Sequence, residues 1–495
     1  MTWFEKAIGV ISPSWMLKRL RSFAVASILN RFYDGAANGR RTKNWRTQPT
    51  SANTEIYAGL SELRNRSRDL VRNNPYARKA MRVIPANVVG TGIWPMMRVG
   101  RSEAGQKRLR DFWRKWATTT RCDFDGRKTM AKIQNLAFRS MLESGEVLIR
   151  KVYEKGIGLQ IQVLESDHLD TSKDGYDTAD GFVRQGIQFS KSGRRVGYWI
   201  WENHPGDNRM SLRLTSTLVP ASDIIHLYQE ERPGQLRGVP LGTASMLRMR
   251  DFDDYEDAQL VRQKIAACFS VFITSEQHSS ATLDDDGDPT ERVEPGMIER
   301  LRPGEQVAFG SPPTSEGYGD YTRKVLQGIA AGYDTTYEAL TGDLTGVNFS
   351  SGRMGHIEFQ RLVEEWQDLL LIPVLCNGIW DWFLDYALIM GIIKNKEDVE
   401  CSWTAPRREF VDPLKEIKAL IEEVRAGLKS WQEAVRSLGY DPEEVMKQLE
   451  EDAKKFDAAG LMPWTDPRFD PNRAVPGTEA ASPKTASVAP MSKAS

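Results

Sequence analysis

The densest run of metal-ligand residue types is Asp284, Asp285, Asp286 and Asp288 around Gly287. Carboxylates at alternate positions about a turn glycine are what a calcium loop needs. With Gly287 on the loop glycine, however, Thr282 takes the first ligand position and Val293 the twelfth, and neither carries a carboxylate. The run is expected to be an exposed acidic turn. Asp253 and Asp254 are adjacent within a helical pattern, so their side chains diverge and suit solvation better than acid–base work. The five histidines do not cluster; His168 in ESDHLD and His226 in DIIHLY stand near strand ends, as satisfied structural histidines do. Cys122, Cys268, Cys376 and Cys401 are far apart in sequence with no C-x-x-C pair, which argues against a disulfide framework or a zinc site. Phosphate-loop, G-x-S-x-G and H-E-x-x-H patterns do not occur, so neither metal nor cofactor is expected.

The remaining candidates are neutral but for one arginine. Asn348, Phe349, Ser350, Ser351 and Arg353 lie in a stretch with Gly342, Gly346 and Gly352, where small polar groups and turn-forming backbone favour exposed contact. Such residues offer weak hydrogen bonds and a single cation, Arg353, for which Asp343 and Glu358 are alternative partners. Two helical patterns hold the stretch, one over 321–340 and one from Arg353 to Pro373, in which Phe359, Leu362, Val363, Trp366, Leu369 and Leu370 share a face. Ser350 or Ser351 is expected to cap the second.

Lys+Arg and Asp+Glu both total 67, so formal net charge is zero. A tight binder of nucleic acid usually carries a basic excess, because affinity follows the number of phosphates neutralised. This balance suits a surface along which a polyanion slides. Residues 1–46 hold nine Lys or Arg against two acids, and residues 412–457 hold twelve acids against eight bases, which suggests different neighbours at the two ends.

Residues 1–60 read as a partly ordered basic arm. Arg64, Arg66, Arg68 and Arg72 follow on a helix broken at Asn73, Asn74 and Pro75; nucleic acid, solvent and a neighbouring subunit are all open to them. Helices over 104–118 and 129–144 and β runs in EVLIRKVY, LQIQVLESDHL, FVRQGIQF, VGYWIW and DIIHLYQ give an α+β region. The helix over 243–268 carries Asp251, Asp254 and Lys264 among many charges and is too polar for a core, so it is expected to stand beside copies of itself. CFSVFIT and MIERLRPGEQVAFGSPP read as a small β insert. The apolar run over 369–393 contains Asp381 and Asp385, which favours a buried helix over a membrane span. DPLKE and DPEE open further helices, Asp441 capping the latter, and the Pro-, Ala- and Ser-rich tail over 461–495 is expected to be disordered.

The stretch LTGDLTGVNFSSGRMG resembles the D-L-x-x-x-N-[FY]-S-S-x-R signature of the portal proteins of lambda-like tailed bacteriophages. RNNPYARKA, LESDHLD, RGVPLG, LRPGE and DPLKE stand in the same order as in that family. The resemblance implies an α+β portal-type fold with these parts: basic arm 1–60, α+β wing 61–240, stem helix 241–268, β clip 269–318, second stem helix 319–340, tunnel loop 341–352, tunnel helix and wing return 353–410, helical crown 411–460 and tail 461–495.

It further implies a ring, typically a dodecamer, at one capsid vertex of the virion, assembled in the host cytoplasm, through which double-stranded DNA is packaged and later ejected. The expected DNA-channel residues are Asn348, Phe349, Ser350, Ser351 and Arg353. The clip, with Asp284, Asp285, Asp286, Asp288, Arg300 and Arg302, would meet the terminase large subunit and then the head-completion or adaptor proteins. Major capsid protein and scaffold would surround the wing, and no membrane is expected. A pore-forming ring unrelated to phage, soluble or membrane-associated, and a DNA-processing enzyme are the alternatives.

Overall fold

The computed structural model describes residues 49–100, 102–175, 177–178, 181–207, 215–267, 271–275, 305–309, 317–406, 410–461 and 468, with the backbone alone for 177–178, 265–267, 271–275 and 305–309. Two compact units divide the chain, Met1–Glu55 and Ile56–Ser495; of the first, the description covers residues 49–55.

Helix α1 (Ala52–Asn73) stops where Asn74 and Pro75 start α2 (Pro75–Val88). The Asn74 side chain accepts from the backbone N–H of Tyr76 and Ala77 at 2.9 and 3.1 Å, and proline in the first turn needs no donor there. Past α2 the chain turns into β1 (Trp94–Val99), and Gln134 clamps that turn by bonding both the N–H and the carbonyl of Ile93 at 2.9 Å. Gln134 belongs to α4 (Met130–Ser144), which follows α3 (Glu103–Ala117). Gly145 ends α4 at φ 88°, and a Cβ there would sit 2.7 Å from the Gly238 carbonyl oxygen, so only glycine lets the two chains touch.

Two antiparallel sheets follow. β2 (Glu146–Glu154) lies between β3 (Gly158–Glu165) and β9 (Ile224–Tyr228), with Val147 opposite Leu227 and Ile149 opposite Ile225. A meander of β4 (Asp177–Thr178), β5 (Gly181–Arg184), β6 (Ile187–Ser190), β7 (Arg195–Trp201) and β8 (Ser216–Pro220) forms the other, around Ile187, Phe189, Tyr198, Ile200 and Val219. The strand β8 was not expected from the sequence.

Helix α5 (Met246–Ala267) anchors its first turns in the core through Met246, Met249 and Phe252, so the charged helix is apolar at its root. Beyond it the backbones of β10 (Val271–Ser275) and β11 (Glu305–Phe309) pair antiparallel. The single helix expected over 321–340 is two, α6 (Tyr318–Gly332) and α7 (Tyr337–Thr341). Tyr333 interrupts them: it is buried and fits only because Gly242 opposite lacks a Cβ, which would lie 2.4 Å from its hydroxyl. Asp334 then turns the chain at φ 49°.

The next helical rod runs unbroken from Phe349 to Ile389. It comprises α8 (Phe349–Glu365), a π-helical segment (Trp366–Cys376) and α9 (Asn377–Ile389). The sequence marked Pro373 as the boundary between two α-helices; instead the wider turn absorbs a residue with no N–H to give. The rod is long and apolar enough to cross a membrane, but Leu371, Leu375, Ile379, Phe383 and Ala387 are buried in the core of this chain. Phe383 packs edge-on to Trp113 at 4.8 Å and beside Trp116 and Trp380 at 5.2 and 5.6 Å. β12 (Val399–Thr404) returns to pair antiparallel with β1, Trp94 opposite Thr404 and Val99 opposite Val399. Helices α10 (Pro413–Arg425), α11 (Trp431–Ser437) and α12 (Pro442–Ala459) complete the description, with Asp441 capping the last as its sequence implied.

Candidate functional site

The segment between α7 and α8 is shorter and stiffer than its glycine content suggests. Thr336 caps α7 by accepting from Ala339 N–H at 3.2 Å, and Gly342 closes it in the left-handed region at φ 78°. Asp343 then organises the turn. Its carboxylate accepts from the Thr345 hydroxyl, from the Thr345 N–H at 2.9 Å and from the Tyr337 hydroxyl at 2.8 Å. These bonds, the Thr345 hydroxyl foremost, hold its pKa down to about 2, so the one acid of the loop is ionised and engaged with the loop's own donors. Arg323 of α6 braces the same turn, donating to the Thr345 carbonyl at 3.1 Å with its guanidinium 5.5 Å above the Tyr337 ring.

The helix start differs from the expected one. Asn348, not Ser350 or Ser351, is the N-cap of α8: its side-chain oxygen accepts from Ser351 N–H at 2.8 Å, and Ser351 Oγ accepts from Asn348 N–H at 3.1 Å. This reciprocal pair satisfies two donors that would otherwise be free. The loop proper is therefore 342–348, and Phe349, Ser350, Ser351 and Arg353 belong to the helix. Asn348 and Ser351 spend their side chains on the cap, whereas Ser350 stays exposed beside Leu344, Phe349 and Met354, which are 68, 58 and 68% exposed.

Arg353 takes neither partner its sequence neighbours offered. Asp343 is bonded as above, and Glu358 pairs with Arg361 at 3.6 Å. Arg353 instead lines a cleft of about 1040 Å³ between α8 and the α10–α11 pair, where its charge helps Lys415 lower the Asp412 pKa. Asp284, Asp285, Asp286, Asp288, Arg300 and Arg302 lie outside the described residues.

The arginines of α1 divide. Arg64, read as a surface residue, is buried; it reaches Glu146 at 3.0 Å and Asp167 at 3.3 Å. Glu146 also receives Arg237 Nε at 2.8 and 2.9 Å, His226 Nε2 at 2.9 Å and Gly238 N–H at 3.1 Å. Burial pushes the His226 pKa down, and it serves as a neutral donor in this network. His168 Nδ1 lies 3.1 Å from the Trp201 carbonyl. Both histidines are structural. Among the described residues, the grouping of metal-ligand types is Glu165, Asp167 and His204, and Arg68 already bonds both of its carboxylates. Cys122, Cys376 and Cys401 are free thiols, and burial raises the Cys122 and Cys401 pKa values to about 12; Cys268 lies outside the described residues.

The bonds from Thr345 to Asp343 leave a local trace in the sequence, an Asp-x-Thr turn. Arg323 left no local signal, because its contact spans 22 residues.

The family described as phage portal protein, lambda family, matches residues 38–367, more than half of the chain. The probable portal protein of Halomonas phage phiHAP-1 is 24% identical over 460 residues, covering 88% of each chain. Portal protein B of Escherichia phage lambda is 20% identical over 492 residues, covering 88% of this chain and 92% of its own. Among solved structures, a chain in the neck of a native gene transfer agent particle, computed with C12 symmetry, aligns with TM-score 0.46 and 14% identity over 76% of this chain and 94% of its own.

Proposed function

The chain belongs to the lambda family of phage portal proteins, and from that premise we propose that residues 342–350 line the narrowest passage for DNA. As a portal protein it is a structural component of the virion, a head–tail connector with an α+β fold, and not an enzyme. Family membership carries with it an oligomeric ring in the virion neck. Our finer reading is a dodecamer at one capsid vertex, assembled in the host cytoplasm. The terminase large subunit docks on a clip over 269–318 and is later replaced there by head-completion proteins, while capsid protein and scaffold surround the α+β wing.

One observation supports the channel assignment above the rest: the segment 342–352 contains no cation, and its acid, Asp343, is held by Tyr337 and Thr345. What it offers outward is neutral hydroxyl and apolar surface. A neutral hydrogen bond contributes about 1 kcal/mol net, enough to guide a phosphate backbone without trapping it. The N-terminus of α8 adds only partial positive charge behind the loop.

Ser350→Lys tests this reading, because Ser350 is exposed and outside the cap. One added cation per subunit becomes a girdle and a salt-sensitive brake on a polyanion. Rings should assemble normally, while packaged DNA per capsid shortens, more at low salt than at high. Wild-type filling in Ser350→Lys particles would place the loop away from DNA. Asn348→Lys should act in the same direction, with a loss of helix stability added by removal of the cap.

A further inference from the structure

A cleft of about 630 Å³ opens between α1, α2 and α4, lined by five arginines, among them Arg72, Arg78, Arg82 and Arg139. Its charge is only partly answered. Arg68 is committed to Glu165 and Asp167, and Arg139 stands 3.9 Å from Glu143. Arg72, Arg78 and Arg82 are exposed and form no ion pair among the described residues. Arg78 and Arg82 also sit one turn apart on α2, as Arg68 and Arg72 do on α1, an arrangement that costs stability in an isolated helix.

The opposite pattern lies on α5. Asp251, Asp254 and Asp257 recur at three-residue spacing on its exposed side; Asp254 has only the exposed Arg250 at 3.3 Å, and Asp251 and Asp257 form no ion pair among the described residues. Within one subunit the two sets look in different directions. The side of α2 that carries Tyr76 faces α5, its ring 6.0 Å from Phe252, while Asn74 donates to Asp253 at 2.8 Å. Arg78 follows Tyr76 by two residues, about 200° round the helix.

We propose that the arginine cleft of one subunit receives the acidic side of α5 from a second copy of this chain. The inference rests on the ring reading, which it deepens by assigning the surfaces. A closed ring uses head-to-tail contacts, so each copy has to present two different and complementary patches, and these two are complementary in charge and differently directed. Arginine's planar fork suits carboxylates, and like-charge repulsion along each helix is relieved when the opposite set arrives.

The test uses two full-length variants, Arg78→Glu/Arg82→Glu and Asp254→Arg/Asp257→Arg, each checked for a wild-type thermal melt of its subunits. Alone, each should close into rings about ten-fold less than wild type by mass photometry, because like charges then meet at every contact. Co-expressed, they should form alternating rings at wild-type yield, since every contact is again complementary. Normal rings from either variant alone, or no recovery on mixing, would overturn the proposal. So would normal Arg78→Glu/Arg82→Glu rings whose capsids lose DNA, which would give the cleft to nucleic acid. Should charge reversal lower the melt, Arg78→Gln/Arg82→Gln must still reduce ring yield for the proposal to stand. Wild-type protein that never closes into rings would remove the ring reading itself, and the surface with it.

Discussion

Arg237 spans Glu146, its Nε 2.8 and 2.9 Å from the two carboxylate oxygens, with both side chains withdrawn from water. The pair ties the turn before α5 to the first residue of β2, and Arg64 brings α1 to the same carboxylate. Removing the acid leaves the buried Arg237 without a carboxylate and Arg64 with Asp167 alone. Glu146→Gln should therefore lower the unfolding free energy by about 3–5 kcal/mol, read as a urea midpoint shift at unchanged slope. A change under 1 kcal/mol would mean that the network is hydrated in solution.

The same network predicts acid sensitivity. Burial alone would push the Glu146 carboxyl up; the Arg237 guanidinium and the His226 hydrogen bond override it, and the group titrates well below the usual carboxylate range. Burial lowers His226 as well and outweighs the upward pull of Glu146, with the Arg195 and Arg237 charges acting in the same downward direction. Both folded-state values lie below the unfolded ones, about 6.5 for histidine and 4.3 for glutamate. As pH falls, the unfolded chain takes up protons first and stability is lost, beginning near pH 6.5 and steepening below about 4.3. Urea midpoints from pH 7.5 to 4 should follow this course. His226→Gln should flatten the upper part, and an unchanged profile in that variant would rule out its share.

Phe383 holds the aromatic cluster between α3 and α9, fully buried against Trp113, Trp116 and Trp380. Phe383→Ala should cost about 3–5 kcal/mol through lost contact and a residual cavity. Thermal unfolding followed by tryptophan fluorescence would report it, and a melting point equal to wild type would show that the rod is not anchored here.

Rigidity of the loop can be tested apart from DNA. Asn348→Ala should free the first turn of α8 at a cost of about 1 kcal/mol. Gly342→Ala strains a residue at φ 78° and should do at least as much. Hydrogen exchange across 342–352 should quicken in both variants, while exchange in α9 stays at the wild-type rate. Equal acceleration in both regions would mean that the loop and the core open together.

What the sequence made legible was local. The Asn74–Pro75 break, the Asp441 cap and the strands β2, β3, β7 and β9 follow from cap chemistry and side-chain alternation. Asn348 was singled out for its polarity, yet its capping role was assigned to its serine neighbours, because three cap-forming residues within four positions compete and only geometry decides. The interruption at Tyr333 was hidden because an aromatic residue continues the helical apolar pattern; its reason, a glycine at 242, is 91 residues away. Arg64 looked like surface charge for the same cause, its partner Glu146 lying 82 residues on. The π-helical segment also escaped, since Pro373 signals a break without saying how the backbone absorbs it.

The central claim is tested most directly by electron cryomicroscopy of the assembled protein. The account predicts a closed ring whose narrowest bore is formed by residues 342–350, with Ser350 turned toward the axis. A ring with that segment on its outer wall, or particles that never close, would contradict it.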